Sequence, residues 1–251
     1  MNPSNTSNAD NPLGIAPVGS LLAKFAIPAI ISMLVNALYN IVDQIFIGQG
    51  VGYLGNAATN VAFPLTTICL AITLLISIGS ASRFSLSLGE GDADRAAQAV
   101  GNALAMMVLF GILYTLCIEI FLVPLLNAFG ATQDVLPYAI EYTRITAVGM
   151  PLLIITNGMS NLARADGSPN YSMMCMLIGA IINTILDPLF IFKFHMGVRG
   201  AAFATVIGQF FSFLMALYYV KKFTHIRLKK QHFILKPQVC LNIASLGMSN
   251  C

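Results

Sequence analysis

Charge is scarce in this sequence. Only 9% of its residues are Asp, Glu, Lys or Arg, while 57% are apolar and the mean hydropathy is +0.79. Soluble domains carry about 25% charged residues, and a soluble core of this size could not hide so much apolar surface, so a soluble protein is excluded. Period-two alternation is missing as well. Stretches such as LAITLLISIG are continuously apolar, which excludes a transmembrane β-barrel, whose strands alternate over about 10 residues. Metal-ligand spacing is absent: Cys69, Cys117, Cys175, Cys240 and Cys251 form no CxxC and no Cys/His set, and the first three fall in apolar segments where Cys acts as a small hydrophobe. His195, His225 and His232 fall in loops and receive no role. Residues 1–20, rich in Asn, Ser and Pro, lack the basic and short apolar regions of a signal peptide and are expected to form a disordered cytoplasmic tail.

The apolar residues come in blocks of about 20 or more, long enough to cross a bilayer as helices. The pattern predicts an all-α polytopic membrane protein with a six-helix transmembrane bundle over residues 21–222: helices near 21–48, 56–88, 93–126, 135–165, 169–192 and 198–222. The breaks GQGVGYLG, LGEGDAD, NAFGATQD, RADGSPN and KFHMGVRG concentrate helix-punctuating Gly, Pro, Asn and Asp. Lys and Arg gather on one side: Lys24, Arg83, Arg95, Arg164 and the run 221–236, against Arg144, Lys193 and Arg199 on the other. The richer side is expected to be cytoplasmic, with both termini inside. Residues 223–251 read as a basic cytoplasmic loop followed by the opening of a seventh helix. Anionic-lipid contact is a second reading of that basic run. Nucleic-acid binding is not expected, because no folded basic domain accompanies it.

Against this apolar background the polar residues stand out. Asp187 lies in IGAIINTILDPLFIF (178–192), where a carboxylate in hydrocarbon costs about 2.5–3.5 kcal/mol. Asn183, four residues earlier, shares its helix face. Asn36, Asn40 and Asp43 form a polar stripe on the first helix. Counted from segment ends, Asp43 and Asp187 each lie about five residues, or roughly 7.5 Å, from the outer end of their helices, and Thr205 falls at a comparable depth. A shared site is therefore expected. Pro188 should free a carbonyl one turn back, near Thr184. Carboxylate and backbone oxygens together suit a proton or a hard cation such as Na⁺. Asn36 and Asn40 could equally serve as interhelical glue. Glu119 is open between the cavity and the outer interface, Arg164 and Asp166 are expected to pair locally, and the 12 methionines fit adaptable packing.

Several segments, in order, resemble the multidrug and toxin extrusion (MATE) family: NALYNIVDQIFIGQGVGYLGNAATNVAFPL, SRFSLSLGEGDADRAAQAVGNAL, NLARADGSPNYSMM, NTILDPLFIF and GVRGAAFATVIGQ. The resemblance implies two six-helix lobes around a central cavity. It implies exchange of amphipathic, often cationic compounds for external H⁺ or Na⁺ at the cell membrane, with no other cofactor. It places the acidic site on Asp43, Asn183, Asp187 and Thr205, with Tyr142 nearby and Pro28 at a position tied to helix bending. Since this sequence shows six helices and QVCLNIASLGMSNC echoes the start of the first, it is expected to be an N-terminal lobe whose C-terminal six-helix partner is missing. A half-size homodimer is the alternative.

Two other classes were weighed. A flippase of lipid-linked intermediates should carry a strongly cationic cavity, which is not found among these apolar segments. An intramembrane enzyme could use two aspartates as a dyad, but YD and DxxxD motifs are absent, and the GEGD match at residues 89–92 falls in a break between apolar segments, not inside one. The protein is expected not to be an enzyme.

Overall fold

The computed structural model describes residues 18–249. The expected tail falls almost entirely outside that range, as does Cys251. Its last three positions, 18–20, are already helical. Seven α-helices follow one another: α1 Val18–Gly50, α2 Tyr53–Gly89, α3 Ala93–Ala128, α4 Leu136–Ala165, α5 Pro169–Pro188, α6 Val198–Tyr219 and α7 Pro237–Ser249. A π-helical turn, Leu189–Lys193, extends α5, and a 3₁₀ turn, Lys230–Phe233, precedes α7. Among the described residues no strand occurs. Six helices are long and apolar enough to cross a membrane, as backbone hydrogen bonding inside lipid demands.

Each of the five short connections between spans carries one glycine at positive φ, Gly52, Gly91, Gly130, Gly167 and Gly197. At Gly91, φ is +77°, and the chain turns within three residues from the end of α2 into α3, whose first turn is capped by Asp92 accepting from the Arg95 amide at 2.9 Å. Prolines bend the helices they interrupt. In α3 the backbone breaks at Phe121 (φ −106°, ψ 21°) just before Pro124, which has no N–H to give and crowds the preceding turn. The same cause acts at Pro188. Beyond it the chain adopts wider π-type bonding, with the Phe194 amide reaching Leu189 carbonyl at 3.0 Å. The fifth span therefore ends in a π-turn where a continuous α-helix was expected.

Helix α4 sits at the centre and α1 at the margin: 61% of the most apolar stretch of α4 is buried, against 11% for α1. Small side chains such as Ala96, Ala103, Ala139 and Ala147 let the helices approach closely in the core. Leu34, Leu38 and Ile41 of α1 remain exposed, as expected of surface meeting lipid or another lobe.

The basic segment after α6 is a strap docked on the bundle, with Phe223, Ile226 and His232 buried as anchors. His232, which had no expected role, is only 2% exposed; its Nε2 faces Asp94 Oδ1 at 3.1 Å and its Nδ1 accepts from the Lys229 amide at 3.2 Å. Helix α7, the expected opening of a seventh span, packs on α2 where Gly79 and Gly247 meet. A Cβ on either glycine would collide with the backbone of the facing helix, at Ile243 or Leu75. The expected Arg164–Asp166 pair does not form. Asp166 accepts from the Tyr219 hydroxyl at 2.8 Å and the Thr224 amide at 2.9 Å, so α6 and the strap take the carboxylate away. Arg164 turns inward and donates to Asn161 Oδ1 at 2.8 Å, and Asn161 donates to Ser77 on α2.

Candidate functional site

One end of the bundle brings α1, α4, α5 and α6 together around polar side chains. Asp187 is fully buried, and Asp43, Asn183 and Thr205 are at most 9% exposed. Asn183 and Asp187 share a face because they stand four residues apart on α5. The Asn183 amide donates both to Asp187 Oδ1 and to Thr205 Oγ1, each at 3.3 Å, tying α5 to α6. From α1, Asp43 brings its carboxyl group within hydrogen-bonding reach of Asp187. From α4, Tyr142 comes near Thr205 and the carboxyl pair, packed on Ile47, Ile191 and Ala201. Four helices thus converge on five side chains that are distant in sequence.

Donors are in short supply there. Asp43 Oδ1, Asp187 Oδ2 and Asn183 Oδ1 are buried and receive no hydrogen bond. Among the described residues neither carboxylate has an ion-pair partner. A buried carboxylate without a countercharge is costly, and two facing each other more so. A small, hard cation or a shared proton would answer that deficit, and the ligand set is all oxygen: two carboxylates, an amide carbonyl and a hydroxyl. Among the described residues no three His, Cys, Asp or Glu side chains converge, so the set is not of the transition-metal kind.

The stripe on α1 divides. Asn36 and Asn40 pair with each other, the Asn40 amide donating to Asn36 Oδ1 at 2.9 Å and to its carbonyl at 2.7 Å, and both are exposed. Neither joins the carboxylates. The facing helix makes the difference. At the level of Asn36, α5 presents Gly179 and Ala180, which leave space; seven or eight residues on, it presents Asp187 to Asp43. The space is a cavity of about 100 Å³ lined by Ser32, Asn36, Tyr39, Asn183, Thr205 and Gln209 among others. It shares Asn183 and Thr205 with the acidic cluster, so a guest in the cavity touches the same side chains that hold Asp187. Pro28 lies buried further down α1, where its carbonyl accepts from Ser32 at 2.7 Å.

Two participants were not anticipated from sequence. Tyr39 stands one helical turn before Asp43 and lines the cavity. Gln209, one turn after Thr205, lines the same cavity, and its buried, unpartnered Oε1 packs against Gly149 of α4. Helical spacing from the aspartate and the threonine was the available signal for both. Glu119 settles elsewhere, 3.6 Å from Arg144 Nε.

Comparison with known proteins agrees with this layout. The MatE family profile matches residues 28–189. A FAD transporter of Shewanella oneidensis is 31% identical over 206 residues, covering 80% of this chain and 44% of the relative. The multidrug export protein MepA of Staphylococcus aureus is 27% identical, covering 82% and 46%. Crystal structures of MATE in the bent and straight conformations superpose with TM-scores of 0.84 and 0.83 at 26% and 27% identity, covering 92% and 90% of this chain and 52% and 51% of theirs. The chain spans about half the length of the relatives it matches. With the fold, the segments and the family profile in agreement, the chain belongs to the MATE family.

Proposed function

We propose that this protein is one lobe of a cation-coupled antiporter that exports amphipathic, often cationic compounds across the cell membrane. One observation carries the reading: two buried carboxylates without a countercharge adjoin a polar cavity through shared side chains. In this scheme Asp43 and Asp187 hold H⁺ or Na⁺, and Asn183 and Thr205 supply neutral oxygens. Tyr142 orients Thr205, and Pro28 lets α1 bend. Exchange follows if ion and substrate favour different states of the lobe. A second six-helix lobe completes the cavity, and the basic side, with the N-terminus, faces the cytoplasm.

The name FAD transporter borne by one relative raises a second reading, export of an anionic dinucleotide. The cavity lining carries no Lys or Arg, so a pyrophosphate finds no countercharge in this lobe, and the cationic reading is preferred. The test is ethidium efflux from energised cells by the full-length transporter and its Asp43→Asn and Asp187→Asn variants at equal membrane abundance. Loss of efflux in the variants supports the reading, and wild-type efflux refutes it. Repeating the assay with and without external Na⁺ separates sodium from proton coupling.

A further inference from the structure

The strap between α6 and α7 joins two features rarely held together. Between residues 221 and 236 it carries six Lys or Arg and no acidic residue. Lys221, Arg227, Lys229 and Lys230 are exposed. Among the described residues none of these four is in an ion pair. The nearby acids are already engaged, Asp94 with His232, and Glu90 and Asp92 with Arg95. Beyond Lys230, after Gln231 and His232, come three consecutive apolar side chains, Phe233, Ile234 and Leu235, exposed by 39%, 65% and 41%.

The trio is presented, not merely left over. The buried Asn102 of α3 grips the strap on both sides of it. Its amide donates to the His232 carbonyl at 3.0 Å, and its Oδ1 accepts from the Lys236 amide at 2.8 Å. Gly101 lets the strap lie directly on α3, since a Cβ there would collide with the His232 backbone. The strap leaves α6 at its end and meets the first turns of α3, so it lies where apolar spans give way to water. Apolar side chains beside unpaired cations suit that boundary, where rings and aliphatic chains enter the acyl edge and Lys and Arg meet headgroup phosphates.

We propose that residues 227–236 form a docking surface for anionic phospholipids of the adjacent leaflet. Phe233, Ile234 and Leu235 enter the acyl boundary, and Arg227, Lys229 and Lys230 hold the headgroups. The surface would tether the lobe connection to the bilayer and make its movement sensitive to lipid charge.

The sequence contains no tryptophan, which supplies a clean test. Phe233→Trp is introduced into the full-length transporter, with any tryptophan outside this sequence replaced by phenylalanine, and Ile234→Trp serves as a second reporter should the first fail to fold. The protein is reconstituted in phosphatidylcholine vesicles in which either phosphatidylglycerol or phosphatidylcholine, at equal mole fraction, carries brominated chains that quench tryptophan. The expected result is quenching about threefold stronger by the brominated anionic lipid, weakened by high salt. In a variant with Arg227→Gln, Lys229→Gln and Lys230→Gln the preference should vanish while quenching by phosphatidylcholine persists. Equal quenching by the two lipids in the unaltered strap overturns the headgroup assignment. Emission unquenched by either, as when a second lobe covers the trio, overturns the docking surface altogether.

Discussion

The two charged regions of this lobe solve opposite problems. At one end of the bundle, Asp43 and Asp187 are buried together with unpartnered oxygens. At the opposite end, the strap displays its cations while its anchors are sheltered. Exposed cations at a membrane boundary cost little, so their presence reports position. Buried carboxylates without countercharge are expensive, so their presence asks for a ligand. Charge that is cheap to keep describes topology, and charge that is costly to keep describes work.

The comparison breaks first at Asp187. Asp187→Asn should reduce coupled efflux by roughly tenfold or more while leaving membrane abundance intact, because the amide cannot exchange a proton or neutralise a cation; drug efflux at matched expression measures it. Asp43→Asn should do the same, and a variant that lost abundance instead of transport would make the pair structural. At the strap end, Gly79→Ala should open the α2–α7 crossing, at a cost of about 1–3 kcal/mol for overpacking against backbone, read as a lower thermal unfolding midpoint in detergent. Asn102→Ala strips both grips on the strap, each hydrogen bond being worth about 0.5–1.5 kcal/mol; faster amide exchange at His232 and Lys236, with efflux retained, would place the strap's role in tethering rather than coupling. Within the acidic site, Tyr142→Phe removes only the hydroxyl beside Thr205, and a several-fold weaker apparent ion affinity is expected with maximal efflux preserved. Glu119, half-buried beside the exposed Arg144, marks the lower bound: Glu119→Gln should leave both efflux and the unfolding midpoint nearly unchanged.

The spans were readable because Gly and Pro punctuate them. The starts at Ala93, Pro169 and Val198 and the end at Ala165 agree with the expected boundaries. That Asp43, Asp187 and Thr205 share a level was readable from depth, since equal distance from helix ends puts side chains at one level, and Asn183 was readable from its four-residue spacing to Asp187. Direction around a helix axis was harder. Asn36, Asn40 and Asp43 share a stripe, yet only Asp43 meets Asp187, because what α5 places opposite each of them is a tertiary fact. Tyr39 was hidden for the same reason: an aromatic in an apolar helix reads as packing. His232 and Asp166 escaped because their partners lie more than 50 positions away, Asp94 for the first, Tyr219 and Thr224 for the second. No local pattern marks such partners.

The π-turn after Pro188 has a mechanical meaning. Such a turn stores one residue more than an α-turn would hold. Were it to relax into an α-helix, everything beyond it would swivel by about 100°. Ile191 sits within the turn and is wedged against Gly50 at the end of α1, so closely that a Cβ on that glycine would overlap it. The turn that follows Asp187 therefore rests directly on the end of the helix that bears Asp43. The two carboxyl-bearing helices thus meet twice, once through the acidic side chains and once through this contact.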